Sequence, residues 1–251
     1  MNEQVVIIPV HNQLPLLKKC VASLAKFSPE AKIIIVDDGS TDKDTHDWIK
    51  KGGNFVRLHN ETAQGFSAAC NKGIDYAMAN YDFICLCLLN SDTEIVTDNW
   101  FGKVSYHYTV HEKIGISGVM SDNALAQTVQ NPFHYMKIID SKPTIYSTII
   151  HGFCFFIGRE LIMTIGRLDN EKFPHYGSED DYCLLAIKHG FENILVGSVF
   201  VHHHNEASYG KEVRANFIKH TVPELHRRWG VGYCNNAGMY ATKAARYINK
   251  K

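Results

Sequence analysis

Short unbroken apolar runs alternate along this chain with longer stretches in which apolar residues return every three or four positions. Val5-Val6-Ile7-Ile8-Pro9 is such a run, residues 14–27 carry Leu17, Val21 and Leu24 on one helical face, and Lys32-Ile33-Ile34-Ile35-Val36-Asp37 is a second run. Runs of this length suit strands buried on both faces, and the 3.6-residue period suits helices that pack on a sheet. The alternation continues with a helix expected over 42–50, a strand over 55–58, a helix over 67–79 and the run Phe83-Ile84-Cys85-Leu86-Cys87-Leu88-Leu89. Repetition of strand, helix, strand, helix implies a parallel sheet with right-handed crossovers.

The pattern then changes. A helix over 99–110 and a strand over 114–119 are expected, but residues 120–147 show no clear period, and Pro132 and Pro143 stand among scattered turn formers. Irregular segments of this length inside a domain are usually functional or disordered. A strand over 149–157, a helix over 180–189 and a strand over 193–202 follow, and the mixed-charge tail from Lys211 is expected to be helical around Pro223. The organisation expected is one α/β domain over residues 1–209, divisible near residue 119, with a C-terminal helical extension over 210–251.

Composition narrows the function classes. Lys plus Arg equals Asp plus Glu at 26 each, so no summed field favours a polyanion, and nucleic acid is not expected as a partner. The seven cysteines form no CxxC pair and fall mostly within apolar runs, which fits a reducing compartment. No segment reaches the ~18 apolar residues of a membrane span. The expectation is a cytoplasmic protein whose membrane contact, if any, is peripheral.

Candidate chemistry gathers where strands end. Asn90-Ser91-Asp92 follows the apolar run 83–89, so its polar groups emerge at the carboxyl edge of the sheet, where ligands of open α/β folds sit. A carboxylate there, with a second oxygen ligand two residues back, suits a hard divalent cation. As a bare tripeptide it is equally a turn. Asp37-Asp38-Gly39-Ser40-Thr41-Asp42 places two adjacent acids at the same edge before a Gly turn and a helix start; the turn and cap account for Gly39 to Thr41 but not for the paired acids. Asn60, Gly65, Asn71 and Gly73 mark a loop leading into a helix, with free N–H groups near that edge. Glu179-Asp180-Asp181 opens a helix, where acids are favoured by the helix dipole. Consecutive carboxylates also raise one another's pKa, which suits a general base. His202-His203-His204 ends a strand, and alternation puts His202 and His204 on one face and His203 on the other.

Taken in order, Ile7-Ile8-Pro9-Val10-His11-Asn12, Val36-Asp37-Asp38-Gly39-Ser40-Thr41-Asp42, the Asn60/Gly65/Asn71/Gly73 spacing, Leu89-Asn90-Ser91-Asp92-Thr93, Gly152 before an apolar strand, Glu179-Asp180-Asp181 and Val201-His202-His203 resemble family 2 glycosyltransferases of the GT-A fold. The match runs from about residue 4 to residue 209. It is closest to the branch of bacterial rhamnosyltransferase-like and surface-polysaccharide enzymes, in which Asn often replaces the first acid of the DxD motif, as Asn90 does here.

The resemblance implies a single GT-A domain with a mainly parallel central sheet, a nucleotide-sugar half over about 1–119 and an acceptor half over about 120–209. It implies an inverting transfer from a UDP-, dTDP- or GDP-linked sugar to a glycan or lipid-linked acceptor, with Mn2+ or Mg2+. Donor-binding residues would be Pro9, Val10, Asn12, Asp37, Asp38, Gly65, Asn71, Asn90, Ser91, Asp92 and Gly152, with Asp38 meeting the base and Asp37 the nucleoside. Asp92 and His202 would hold the metal, with His204 as a further candidate. Asp180, flanked by Glu179 and Asp181, would be the base, with Glu179 next. Relatives often carry Arg where Leu185 stands here. Two alternatives use a similar acidic edge: a nucleotidyltransferase, whose early Gly-rich basic signature is missing from His11-Asn12-Gln13-Leu14-Pro15, and a catalytically silent nucleotide-sugar-binding module.

Overall fold

The computed structural model describes residues 2–122, 130, 144–204 and 211–230. The first apolar runs form β1 (Val5–Val10), β2 (Lys32–Asp38) and β3 (Val56–Asn60), separated by α1 (Leu14–Phe27) and α2 (Lys43–Lys51). Then come α3 (Phe66–Asn80), β4 (Cys85–Leu89), β5 (Thr93–Ile95), α4 (Trp100–Val110) and β6 (Ile114–Ser121). The remaining elements are β7 (Thr144–Tyr146), β8 (Cys154–Gly158), α5 (Arg159–Ile165), α6 (Ser178–Lys188), β9 (Glu192–His203) and α7 (Lys211–Trp229).

One sheet runs in the order β3-β2-β1-β4-β8-β6-β9-β5, and β7 pairs with β9. Strands β3, β2, β1 and β4 are parallel, as the alternating pattern requires. β8 enters antiparallel between β4 and β6, with Leu89 opposite Cys154, so residues 151–153 arrive beside the carboxyl end of β4. β9 runs parallel to β6, and β5 folds back antiparallel on it with Thr93 opposite His203. Three strand reversals thus bring the turns after β1, β2 and β4, the start of β8 and the end of β9 to one edge.

Each face of the sheet carries its own apolar layer. Val5, Ile7, Ile34 and Val36 pack with α3, α5, α6 and Leu225 of α7 on one side, while Val6, Ile8, Ile33 and Ile35 pack with α1, α2 and α4 on the other. Because side chains alternate along β2, Asp37 and Asp38 turn to opposite layers. Gly73 lets α3 lie close to the sheet: a methyl group there would be 2.4 Å from Ile7 Cγ2.

Four expectations shift. The apolar stretch 149–157 is a strand only from Cys154, and the two-way pairing of β8 with β4 and β6 sets its start. β5 and β7, three residues each, and α5, which follows β8 without a gap, carry no separate signal in the sequence. α6 begins at Ser178, two residues before the expected start. Within the expected extension, α7 is helical through Pro223 and its Leu225 is buried in the main core; residues 231–251, the boundary region 205–210 and most of the irregular segment 120–147 lie outside the described residues.

Candidate active site

The turn after β4 is tied to the start of β8. Asn90 N donates to Phe153 O at 3.0 Å, and Thr93 Oγ1 donates to the same carbonyl. Phe153 in turn stacks on His203, with ring centroids 5.0 Å apart and 21° between planes. This stack holds His203 Nε2 3.4 Å from Asp92 Oδ1, and both side chains are nearly buried. The expected metal partner, His202, instead places Nδ1 2.7 Å from Asp122 Oδ2, and His204 places Nε2 2.6 Å from Glu94 Oε1. The histidine that faces Asp92 is therefore His203, and neither His202 nor His204 does. The reason lies in β9, whose register against β6 shifts between Val196 and Phe200, and in β5, which sets Thr93 opposite His203.

His151 lies within electrostatic reach of His203. Burial pushes its imidazole down to about 4, and nearby His203 pushes in the same direction, so His151 is neutral at physiological pH. Its backbone N–H donates to Gln130 Oε1 at 2.7 Å.

Gly152, the next residue, faces the acidic run. A methyl group at Gly152 would lie 3.4 Å from Glu179 Oε1. Glu179 keeps a partly exposed rim, but the surrounding packing is close enough that burial raises its carboxyl pKa, against the lowering effect of its own backbone N–H and of Ser178 Oγ. A carboxyl poised upward beside a gap left by a glycine has the properties of a general base. Asp180, the expected base, is half-buried next to it.

Asp181 does something else. It is 1% exposed, accepts from Arg228 Nη1 at 2.7 Å and from Trp229 Nε1 at 2.8 Å, and Arg228 continues to Asp169 Oδ2 at 2.6 Å. Burial raises its pKa and the Trp229 and Arg228 contacts oppose that. The third acid of the run is thus the anchor of α7 on the body, which removes it from the expected catalytic set. An arginine does reach the acidic run, but from α7 rather than from position 185.

The two acids at the end of β2 divide similarly. Asp38 Oδ1 accepts from Asn60 Nδ2 and Gln64 N, both at 2.8 Å, and Oδ2 accepts from Gly65 N at 2.8 Å. Oδ2 keeps room for a further donor. Asp38 lies on the Glu179 side of the sheet: the Cys70 thiol is pushed up first by burial, then by both Glu179 and Asp38. Asp37 faces the other layer, where Oδ1 accepts from Ser40 N at 2.9 Å and Oδ2 lies 3.2 Å from His59 Nδ1 and 3.4 Å from His46 Nδ1. Its expected nucleoside contact does not fit this orientation.

Several other expected donor residues shape the edge instead of lining it with free groups. Asn12, at φ 62°, accepts at Oδ1 from Thr41 N and Asp42 N and so joins the turns after β1 and β2. Asn71 bonds Leu168 through both amide atoms and reaches Asn170. Gly65, at φ 97°, approaches Pro174 so closely that a methyl group would be 2.6 Å from its carbonyl oxygen. Pro9 and Val10 are buried at the end of β1, opposite Val36 and Asp37. Asn90 and Ser91 form the half-buried turn that delivers Asp92. Sequence reasoning missed His151, Arg228 and Trp229, none of which carries a motif that could have marked it.

A carboxylate and an imidazole thus meet at the carboxyl edge of the mixed sheet, with Glu179 beside Gly152 on the same edge. Solved structures agree on the fold. GalNAc-T7, solved with UDP, GalNAc and Mn2+, superimposes at a TM-score of 0.62 with 19% identity, covering 81% of this chain and 44% of that one. The mannosyltransferase PcManGT of Pyrobaculum calidifontis, solved with GDP-Man and Mn2+, gives 0.65 with 15% identity over 90% of this chain and 64% of that one. The sequence pattern described as glycosyl transferase family 2 matches residues 5–166, and the chain belongs to that family. Among curated relatives, an uncharacterised Sinorhizobium fredii protein, y4gI, is 24% identical over 89% of this chain and 27% of its own length. Glycosyltransferase GlyG of Streptococcus pneumoniae is 36% identical over 38% of this chain and 31% of its own length. A PGL/p-HBAD biosynthesis glycosyltransferase of Mycobacterium bovis is 26% identical over 64% of this chain and 61% of its own length. The chain therefore spans between about a quarter and three-fifths of these relatives. No helix among the described residues is long and apolar enough to cross a membrane.

Proposed function

We propose that this chain is an inverting glycosyltransferase that moves a sugar from a nucleoside-diphosphate sugar to a hydroxyl of a glycan or lipid-linked glycan. The observation that carries the proposal is the continuity of Asp92, His203, Phe153, Gly152 and Glu179 along one edge, with Asp38 on the same side of the sheet. Family membership and the GT-A fold support the same reading.

Asp38 would accept an N–H from the nucleobase at its remaining Oδ2 lone pair. Asp92 and His203 fit a divalent cation, because a carboxylate oxygen and an imidazole nitrogen stand 3.4 Å apart on nearly buried, well-held side chains. A Mn2+ or Mg2+ ion there would offset the charge that develops on the departing diphosphate. Glu179, with its carboxyl pKa raised by burial, would take the proton from the acceptor hydroxyl as that oxygen attacks the anomeric carbon opposite the leaving group. The neutral His151 behind His203 adds no competing positive charge. The acceptor would lie over residues 144–204, beyond Gly152.

Calorimetry with UDP, dTDP and GDP, each with and without Mn2+, tests the donor half of this reading. At least one diphosphate should bind, and more tightly with the metal. Failure of all three to bind in either condition would contradict it.

A further inference from the structure

On the opposite face of β2 from the proposed donor site, three potential ligands converge. Asp37 is the penultimate residue of β2, His46 lies on α2 and His59 in β3, and one ligand atom from each lies within 4.8 Å of the others. We propose that Asp37, His46 and His59 form a site for one transition-metal ion of the Zn2+ class, separate from the Asp92–His203 pair.

Distances distinguish this cluster from ordinary histidine–carboxylate pairs. Two other pairs close to 2.7 Å (His202–Asp122) and 2.6 Å (His204–Glu94), as charge-assisted hydrogen bonds do, whereas the proposed metal pair His203–Asp92 stands at 3.4 Å. At Asp37 both imidazoles stop short, with Nδ1 at 3.2 Å for His59 and 3.4 Å for His46, and both aim at the same oxygen, Oδ2. With zinc bonds of about 2.0 to 2.2 Å, neighbouring ligand atoms of a tetrahedral site stand about 3.3 to 3.5 Å apart. The two Asp37–histidine separations fall near that spacing, and all three ligand atoms lie within 4.8 Å of one another.

The surroundings suit the role. The rings of His46 and His59 meet edge to face, 5.3 Å between centroids at 69°, so their Nδ1 atoms converge without stacking. Asp37 is fixed from behind by Ser40 N on Oδ1, which leaves Oδ2 to turn toward the histidines. The Asp37 side chain is 2% exposed while His46 and His59 are 40% and 35% exposed, so a fourth position opens to water. Two nitrogens and one oxygen favour Zn2+, Co2+ or Ni2+ over the oxygen-preferring Mg2+ and Mn2+. The three ligands come from adjacent elements of the sheet edge, so a bound ion would brace β2, α2 and β3.

The test uses the tag-free full chain, stripped with chelator and without nucleotide. Zn2+ titration by calorimetry should show one ion per chain lost when His46→Asn and His59→Asn are combined, and Co2+ should give the intense visible absorption of a four-coordinate site. Each single variant should weaken binding about 10- to 100-fold. The His202→Asn/His204→Asn pair should leave the ion at Asp37 bound. Overturning results are a wild-type chain that takes up no stoichiometric Zn2+, a Co2+ complex with only the pale spectrum of six-coordination, or a stoichiometry that the double variant does not lower by one ion per chain. The wild-type Co2+ spectrum decides the matter even if a variant fails to fold.

Discussion

His203 Nε2 stands 3.4 Å from Asp92 Oδ1, and the stack of His203 on Phe153 joins this pair to the same turn that presents Gly152 to Glu179. The two groups proposed to act at opposite ends of the reaction thus meet two consecutive residues, Gly152 and Phe153, just before the antiparallel strand β8.

That arrangement predicts a sharp split among the histidines. His203→Ala should raise the Mn2+ concentration for half-maximal turnover about 10-fold or more, as should Asp92→Ala, whereas His202→Ala should have little effect. Metal titrations of initial rates check this, and equal effects at His202 and His203 would contradict the pairing.

The acidic run should separate by role. Glu179→Gln should lower kcat by roughly 10² or more with nucleotide affinity nearly intact, while Asp180→Asn does less. Burial raises the folded-state pKa of Glu179, so the folded chain favours the protonated form. The resulting penalty is absent below the unfolded-state value and grows as pH rises through the folded one. Removing that carboxylate should therefore keep or raise Tm at neutral pH even as activity falls, and scanning calorimetry with paired kinetics reads both.

Asp181 should behave as a structural residue. Arg228→Ala leaves a carboxylate that is 2% exposed without its cation, a loss of about 3 kcal/mol in unfolding free energy. Urea midpoints measure it. Arg228→Lys should not restore it fully, because one guanidinium bridges Asp181 and Asp169 through separate nitrogens.

Gly65→Ala should cost about 1 to 3 kcal/mol, since the residue adopts φ 97° and its Cβ would meet the Pro174 carbonyl. Donor affinity should fall with it, because Gly65 N helps hold Asp38. Unchanged urea midpoint and affinity would contradict both parts.

Much of the fold is legible in the sequence because β1, β2 and β4 are buried on both faces and read as unbroken apolar runs, each followed by polar residues at the shared edge. β5 and β7 are invisible because three residues acquire strand geometry only by pairing with the long β9. Residues 149–153 look like strand because apolar pattern reports burial, and Ile149, Ile150 and Phe153 are indeed buried, although outside any strand. The positions of the site residues at the sheet edge were likewise readable. Their orientations were not: alternation names two faces, but the register shift in β9 decides which histidine meets Asp92, and the anchoring of Asp181 depends on Arg228, 47 residues away. His46 and His59 belong to different elements and carry no spacing motif at all.

The most direct measurement is nucleoside-diphosphate release from a panel of UDP-, dTDP- and GDP-sugars with Mn2+, run beside nucleoside triphosphates and repeated with Glu179→Gln. The account predicts diphosphate release from at least one sugar nucleotide, no pyrophosphate from any triphosphate, and loss of release in the variant while donor binding persists. Pyrophosphate release from a triphosphate, or sugar-nucleotide binding without turnover in the parent chain, would contradict it.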